Sequence, residues 1–301
     1  MNGLVNKVIE GDSLEVLKEF PDGSVNLIIT SPPYFGCRVY GDETLGREKH
    51  PLEYVRNIFE FTKEFKRVLH ENGSFYLNMM DVYFGTKGFG RVKGKYLRKT
   101  HENYKHHEIV EEDGKYLQNK QLLMLPQRVA IMMQEDGWIL RNQNIWYKPN
   151  PCPNFSSDRR LPSYEYFYHF VKSRDYYFDW EAAKRLGHHQ DVIRCGIESF
   201  KDHQASFPEK LITPFVFTTS REGDIVLDPF GGSGTVGVVC RFARRKYILI
   251  ELNGKYCEDS RKRIASADGK NIMETYKKLG IKSIDVNSPN VRGNLMDEFG
   301  G

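Results

Sequence analysis

Two short runs of the chain carry side chains suited to chemistry, and each follows a compact apolar segment. The first run is Ser31, Pro32, Pro33 and Tyr34, directly after the apolar segment Val25–Thr30. Its two prolines fix the local backbone and remove two N–H donors, so nearby carbonyl oxygens remain available to a ligand. A hydroxyl and a carbonyl placed in this way can accept both hydrogens of an amine. The alternative is a rigid turn that carries a core aromatic residue.

The second run is a glycine-rich turn at residues 228–235, Asp-Pro-Phe-Gly-Gly-Ser-Gly-Thr, between a predicted strand and a predicted helix. Glycines in such a turn let the backbone approach a ligand closely. Asp228 at the strand end would repel a pyrophosphate but suits a ligand with an ammonium and no phosphate, such as S-adenosylmethionine. Glu251 ends the next predicted strand, where a carboxylate can accept ribose hydroxyls. A surface acid at a strand end is the alternative for Glu251.

Together, and in this order, the two runs resemble the motifs of the amino-methylating DNA methyltransferases of the beta class, in which the catalytic motif precedes the cofactor motif. The family's cofactor motif is Asp-Pro-Phe-x-Gly-Ser-Gly-Thr, and every fixed position matches here. The resemblance covers most of residues 8–265 and implies S-adenosylmethionine as the cofactor. The matching residues that it assigns to the cofactor are Asp228, Phe230, Gly232, Ser233, Gly234 and Thr235.

The resemblance also assigns cofactor contacts outside this turn. Residues 203–208, His-Gln-Ala-Ser-Phe-Pro, are similar to a companion cofactor segment, with Gln204 where proline is usual. Phe207 is then expected near the cofactor, and a core aromatic residue at a helix start is the alternative. Asp12 resembles the acid that hydrogen-bonds the adenine amine, and it is equally suited to cap a helix that begins at Ser13.

For the first run, the resemblance implies transfer of a methyl group to an exocyclic amine of a base flipped out of the duplex. Ser31 and the Pro32 carbonyl would accept the amine hydrogens, which aims the nitrogen lone pair at the methyl group for in-line displacement. Tyr34 would offer an aromatic face to the base. Serine at the first motif position resembles the N4-cytosine enzymes, and aspartate is more usual in the N6-adenine enzymes. Cytosine N4 is therefore the main prediction and adenine N6 the runner-up.

Double-stranded DNA is the expected partner, and the basic segment at residues 84–120 is the predicted target-recognition insertion. A solvated surface loop is the alternative for this segment. Residues 146–151 resemble a segment beside the flipped base, or form an edge strand that ends in a proline-rich loop. The predicted DNA-binding residues are Lys87, Arg91, Lys93, Lys95, Arg98, Lys99, Lys148, Arg159 and Arg160.

The elements that must position these residues alternate along the chain. Predicted strands lie at residues 4–10, 25–30, 74–78, 138–146, 165–171, 224–227 and 247–250, and predicted helices lie at 13–20, 52–69, 127–135, 208–218, 235–243 and 255–265. Such alternation predicts an α/β fold with a mostly parallel sheet and helices on both faces. We therefore expect a Rossmann-like methyltransferase fold with a circularly permuted motif order. It forms a single catalytic domain across residues 1–301, with a polar tail at 267–301.

The composition is within the range of a soluble globular protein. Of 301 residues, 40% are hydrophobic and 28% charged, and the net charge is +4. No apolar run reaches the roughly 18 residues of a membrane span, and the start of the chain lacks the apolar core of a secretion signal. Five scattered cysteines without a Cys-x-x-Cys pair indicate a reducing, cytoplasmic setting and no metal site. A cognate restriction endonuclease is a candidate partner, and a non-catalytic, nucleotide-responsive DNA-binding protein is the competing functional hypothesis.

Overall fold

The computed structural model describes residues 3–36, 45–84, 117–118, 120–152, 156–197 and 207–280. These residues form an eight-stranded sheet flanked by helices. Its strands are β1 (Lys7–Glu10), β2 (Val25–Thr30), β3 (Leu69–Met79), β4 (Ile139–Tyr147), β5 (Tyr164–Val171), β6 (Val192–Arg194), β7 (Ile225–Asp228) and β8 (Lys246–Glu251). The helices are α1 (Ser13–Lys18), α2 (Pro51–Val68), α3 (Leu125–Glu135), α4 (Trp180–Leu186), α5 (Glu209–Thr219), α6 (Thr235–Phe242), α7 (Gly254–Ser266) and α8 (Lys270–Leu279).

The strand order is β1-β8-β7-β2-β3-β5-β4-β6. Strand β5 is antiparallel to both of its neighbours, β3 and β4, and the other paired strands of the described chain are parallel. The expected mostly parallel sheet is therefore confirmed, whereas the reversed direction of β5 was not predicted. Because β5 is antiparallel to the other strands, its first residues lie at the same sheet edge as the carboxyl ends of the parallel strands.

The helices cover both faces of the sheet, as expected. Alternate residues of β2 point to opposite faces, so Ile28 packs with α1, α2 and α3. Leu27 and Ile29 pack into the second core, with α4 to α8. Burial on both faces explains why the β2 sequence is mostly apolar and does not alternate with polar residues. Among the helices of the described ranges, none is long and apolar enough to cross a bilayer.

Helix α2 shows how local sequence sets these elements. Pro51 occupies the first turn, where a missing N–H costs little, and the His50 side chain accepts a hydrogen bond from the Leu52 N–H at 3.1 Å. The buried residues Tyr54, Ile58 and Phe65 then follow at helical spacing. Its predicted range agrees with the structure to within one residue at either end.

Three elements lie where the sequence analysis assigned none: α4, β6 and α8. Helix α8 falls inside the predicted polar tail, yet Ile272, Tyr276 and Leu279 are buried at i, i+4 and i+7. The Tyr276 ring meets Phe217 edge-on at 5.3 Å, and its hydroxyl donates to the Phe242 carbonyl at 3.0 Å. The first part of the tail therefore closes the second core, and residues 281–301 lie outside the described residues.

Replacing Tyr276 tests this docking of α8. Tyr276→Ala removes a ring that is 1% exposed, so we expect the free energy of unfolding to fall by about 3–5 kcal/mol. Tyr276→Phe keeps the ring and loses one hydrogen bond, with an expected cost of about 1 kcal/mol. Urea unfolding of the three proteins measures both changes. Equal stability of the alanine variant and the parent would show that α8 does not contribute to the core.

Candidate active site

The two motif runs meet at one edge of the sheet. Strands β2 and β7 are parallel neighbours, with Leu27 beside Val226 and Ile28 beside Leu227. Both strands therefore end at the same level, and the run at residues 31–34 begins next to the glycine-rich turn. The Thr30 hydroxyl donates to the Asp228 carboxylate at 2.6 Å, which links the two runs directly.

Asp228 is a buried acid, only 3% exposed. Its Oδ1 accepts both from Thr30 and from the Phe230 N–H, the latter at 3.1 Å. Burial raises the pKa of Asp228 to about 7, the nearby Glu251 charge adds to this, and the two hydrogen bonds oppose it. Because both hydrogen bonds end on Oδ1, Oδ2 is the oxygen that would meet a ligand cation.

The glycine-rich turn depends on residues without a Cβ at two positions. Gly234 has φ +77° and directly precedes α6, and glycine tolerates this left-handed conformation. A Cβ on Gly231 would lie 2.9 Å from the Leu249 Cβ. The Gly231 N–H donates to the Ile250 carbonyl at 2.8 Å, which holds the turn against β8.

Helix α7 braces the turn from outside. The Arg263 guanidinium donates to the Ser233 carbonyl and to the Thr235 hydroxyl, both at 2.9 Å, and forms an ion pair with Glu209 at 2.9 Å. Ser260, one turn earlier, donates to the Gly232 carbonyl. Arg263 and Ser260 were not predicted as site residues; their i, i+3 spacing on a predicted helix was the available signal.

The Glu251 carboxylate is held by two backbone N–H groups, one of them in the glycine-rich turn. One carboxylate oxygen accepts from the Gly232 N–H and the other from the Asn253 N–H, each at 2.9 Å. Glu251 is only 8% exposed, so the alternative of a surface acid is wrong. A carboxylate oxygen can accept more than one hydrogen bond, and the ribose contact stays a prediction.

Asp12 caps α1, because its Oδ1 accepts from the Leu14 and Glu15 N–H groups at 2.9 and 3.1 Å. The Gly11 N–H donates to the Glu251 carbonyl at 3.0 Å, so the α1 cap lies beside the end of β8. The capping alternative is thus observed. Contact of Asp12 with an adenine amine stays a prediction.

Two aromatic residues assigned to the cofactor pack against other aromatic residues of the protein. Phe207 is buried and meets Phe167 edge-on at 6.2 Å, in agreement with the alternative of a core aromatic residue before a helix. Phe230 is half-buried and its ring lies 5.1 Å from Phe61. Neither arrangement tests a cofactor contact, and both contacts stay predictions.

The first motif run is tied to β5 by a chain of polar side chains. Ser31 Oγ donates to the Tyr34 hydroxyl at 3.1 Å, and this hydroxyl donates to Glu165 Oε2 at 2.8 Å. Lys148 forms an ion pair with Glu165 Oε1 and lies 4.3 Å from the centroid of the Trp146 ring. Burial and the Glu165 charge raise the pKa of Tyr34 well above its ordinary value.

The backbone of the same run has one occupied and one available carbonyl. The Tyr54 hydroxyl donates to the Pro33 carbonyl at 3.0 Å, which anchors the motif to α2. Among the residues that the structure describes, none donates to the Pro32 carbonyl. The acceptor expected for a ligand amine is therefore present.

The predicted DNA-binding residues separate into three groups. Lys87, Arg91, Lys93, Lys95, Arg98 and Lys99 lie outside the described residues. Lys148 is engaged with Glu165 and 14% exposed. The Arg159 guanidinium lies 3.9 Å from the Tyr83 ring centroid, and Arg160 is exposed. All nine DNA contacts stay predictions.

A family model described as DNA methylase, of the N6/N4 type, matches residues 25–262. The chain belongs to this DNA methylase family. Type II methyltransferase M.Cfr9I from Citrobacter freundii is 38% identical over 271 residues, which cover 87% of this chain and 88% of the relative. Type II methyltransferase M.SmaI from Serratia marcescens is 34% identical over 268 residues, which cover 86% and 90%.

Solved structures agree on the fold. PvuII DNA methyltransferase (cytosine-N4-specific) has a TM-score of 0.67 at 23% identity, covering 94% of this chain and 98% of that one. A putative DNA modification methylase from Thermus thermophilus, complexed with S-adenosyl-L-methionine, has a TM-score of 0.59 at 22% identity and covers 86% and 93%. The predicted methyltransferase fold is confirmed.

The family match confirms S-adenosylmethionine, the cofactor expected of a DNA methylase, and the residues at this edge of the sheet fit it. Asp228 and Glu251 are buried acids at the ends of adjacent strands, matched to an ammonium and a ribose. In the described part of the chain, no group of His, Cys, Asp and Glu residues is arranged to hold a metal ion.

The pKa of Asp228 gives a pH prediction. A carboxyl whose pKa is raised from 3.8 to about 7 on folding stabilises the folded protein fully below pH 3.8. That stability is lost as the pH rises through about 7. Asp228→Asn can keep both hydrogen bonds to Oδ1 without titrating. We therefore expect the unfolding free energy of the parent to fall relative to this variant by up to about 4 kcal/mol between pH 4 and pH 8.

Cofactor binding should respond in the opposite direction. The carboxylate that pairs with the ammonium forms only as the pH rises, so parent affinity should increase from pH 6 to pH 8. Asp228→Asn should bind weakly at every pH. Urea unfolding and calorimetry across this range provide both measurements, and parallel curves for the two proteins would contradict the assignment.

Proposed function

We propose that the protein is a site-specific DNA methyltransferase that transfers a methyl group from S-adenosylmethionine to the N4 amine of cytosine in duplex DNA. The family match and the relatives at 38% and 34% identity support DNA as the substrate. Cytosine is supported by Ser31 at the first position of the catalytic motif. Relatives named Type II methyltransferases support a role as the modification enzyme of a restriction–modification system, with a cognate endonuclease acting on the same site.

The hydrogen-bond direction at Ser31 is the observation that carries this proposal. The Tyr34 hydroxyl has one hydrogen and two acceptors near it, Glu165 Oε2 at 2.8 Å and Asn78 Oδ1 at 3.1 Å. Ser31 must therefore donate its own hydrogen to Tyr34. Its oxygen lone pairs are left to accept a hydrogen from a target amine.

The Pro32 carbonyl can accept the second amine hydrogen. With both hydrogens held, the nitrogen lone pair is drawn out of conjugation with the ring and directed at the cofactor site. When bound, S-adenosylmethionine supplies an electrophilic methyl group there. The chain's contribution is then mostly positioning, with Asp228 and the glycine-rich turn holding the donor and residues 31–34 holding the amine.

The base must leave the duplex to reach this pocket, at a cost of a few kcal/mol that stacking and edge contacts offset. We assign target recognition to residues 84–120 and phosphate contacts to Arg159 and Arg160. The exposed Arg160 supports this assignment. Arg159 lies over the Tyr83 ring at the same sheet edge, since Tyr83 follows β3.

Ser31→Ala tests the proposed catalytic role. The variant removes one of two amine acceptors, so methyl transfer should fall to background while the cofactor dissociation constant stays within about twofold. Labelled S-adenosylmethionine and mixed-sequence duplex DNA measure turnover, and calorimetry measures binding. Wild-type turnover in the variant would exclude Ser31 from the chemistry.

Product analysis decides the base. After methylation, the DNA is digested to nucleosides and the labelled nucleoside is identified by mass spectrometry. We expect N4-methylcytosine. N6-methyladenine would keep the fold and the positioning chemistry but reject the inference from Ser31. Absence of label on any substrate, including genomic DNA that contains every short recognition site, would favour a non-catalytic DNA-binding protein.

A further inference from the structure

Methyl transfer to an exocyclic amine leaves the nitrogen with one proton more than the neutral methylated product has. As the nitrogen–carbon bond forms and the carbon–sulfur bond breaks, the electron pair of that bond stays on sulfur and the nitrogen becomes positively charged. The neutral methylated base appears only after a proton leaves the nitrogen. Ser31 touches this nitrogen in the proposed function, but a serine hydroxyl is a weak base on its own.

The hydrogen bonds behind Ser31 lead away from the amine in one direction. Ser31 donates to Tyr34 at 3.1 Å, and Tyr34 donates to Glu165 Oε2 at 2.8 Å. The contact to Glu165 is shorter than the 3.1 Å contact of the same hydroxyl with Asn78 Oδ1, so each donor hydrogen has the next oxygen of the chain within hydrogen-bond distance. The chain ends on a carboxylate, which is the only member of the three that can keep an added proton as a neutral group.

The surroundings of Glu165 fit an acceptor at the end of such a chain. Its side chain is 6% exposed, so water competes little for Oε2. The Lys148 ammonium contacts Oε1 and provides the matching charge, leaving Oε2 to Tyr34. Asn78 donates to the Tyr166 carbonyl at 3.0 Å, which turns its own oxygen toward Tyr34 and holds that hydroxyl in place.

The other acids at this edge are engaged elsewhere. Asp81 accepts from the Val82, Met124 and Leu125 N–H groups at 2.9 to 3.2 Å. Asp228 accepts from Thr30 and the cofactor turn. Of the described acids, Glu165 is the one in hydrogen-bond contact with the catalytic motif through a side-chain hydroxyl.

We propose that Ser31, Tyr34 and Glu165 form a proton relay that takes the surplus proton from the methylated amine. The amine proton passes to Ser31 Oγ as the Ser31 hydrogen passes to Tyr34 and the Tyr34 hydrogen passes to Glu165 Oε2. One proton leaves nitrogen and one arrives on the carboxylate, so charge and atoms balance. Glu165 and Lys148 are positioning residues that act through Tyr34. This inference rests on the proposed function but holds for the amine of either cytosine or adenine.

The relay is tested with Tyr34→Phe and Glu165→Gln in the full-length protein. Each variant preserves side-chain shape and interrupts the relay, so the single-turnover methylation rate should fall about 100-fold, with cofactor and DNA affinities within about twofold. The proton must then leave through a solution base, so imidazole buffer should raise the rate of both variants and leave the parent unchanged. The double variant should be no slower than the slower single variant, because both changes break the same path.

Tyr276→Phe is the matched control, since it removes a buried tyrosine hydroxyl far from the motif in sequence and on another element. It should show the parent rate and no dependence on imidazole. Parent-like rates in Tyr34→Phe or Glu165→Gln would overturn the relay. The relay would also be overturned if imidazole did not raise the rates of the slow variants and the rate losses of the two single variants added in the double variant. Those results would indicate a purely structural role for both residues.

The product formed by the parent protein distinguishes failure of the relay from failure of the proposed function. Methylation of adenine in place of cytosine rejects the N4 assignment, while the relay is still measured on that product. Methylation of cytosine with variants that behave as the parent rejects the relay alone. A parent that methylates no amine on genomic DNA overturns both.

Discussion

The active edge depends on the contact between Thr30 and Asp228, two side chains 198 positions apart in the chain. The contact exists because β2 and β7 are parallel neighbours in register, so both end at one level. Parallel strands release their loops at the same edge, which is where ligands bind in open α/β sheets. The run at residues 31–34 and the glycine-rich turn are thus side by side, although they lie far apart in the chain.

Burying Asp228 at this junction is unfavourable for the ligand-free protein, and the rest of the site compensates for it. Thr30 and the Phe230 N–H each donate to the carboxylate, while α7 holds the neighbouring turn through Arg263. A buried acid with a raised pKa is a common sign of a functional site. A ligand cation beside it would favour its charged form, and the ammonium of S-adenosylmethionine is the cation proposed for this position.

The reversed strand β5 adds the polar network to this edge. In a fully parallel arrangement the first residues of β5 would lie at the far edge of the sheet, away from residues 31–34. Its antiparallel pairing with β3 and β4 instead places Glu165 beside Tyr34. A buried ion pair by itself is weak evidence for stability. The buried Lys148–Glu165 pair is therefore better explained by the contact that Glu165 makes. Glu165 accepts from the Tyr34 hydroxyl, which in turn accepts from Ser31.

The sequence by itself determined the two motifs and most of the helices and strands. Burial on both faces makes β2 mostly apolar, and helical spacing of apolar residues predicts α2. The glycines that the turn at residues 228–235 requires make that turn recognisable in the sequence. All three signals are local, because they reflect the backbone conformation and the solvent exposure of a single segment. Tertiary structure decided what local patterns do not encode: the direction of β5, the docking of α8, and the partners of Lys148. Lys148 was predicted to contact DNA, yet its ammonium meets Glu165. Strand direction and side-chain pairing depend on residues distant in the chain, and no periodicity within a segment reports them.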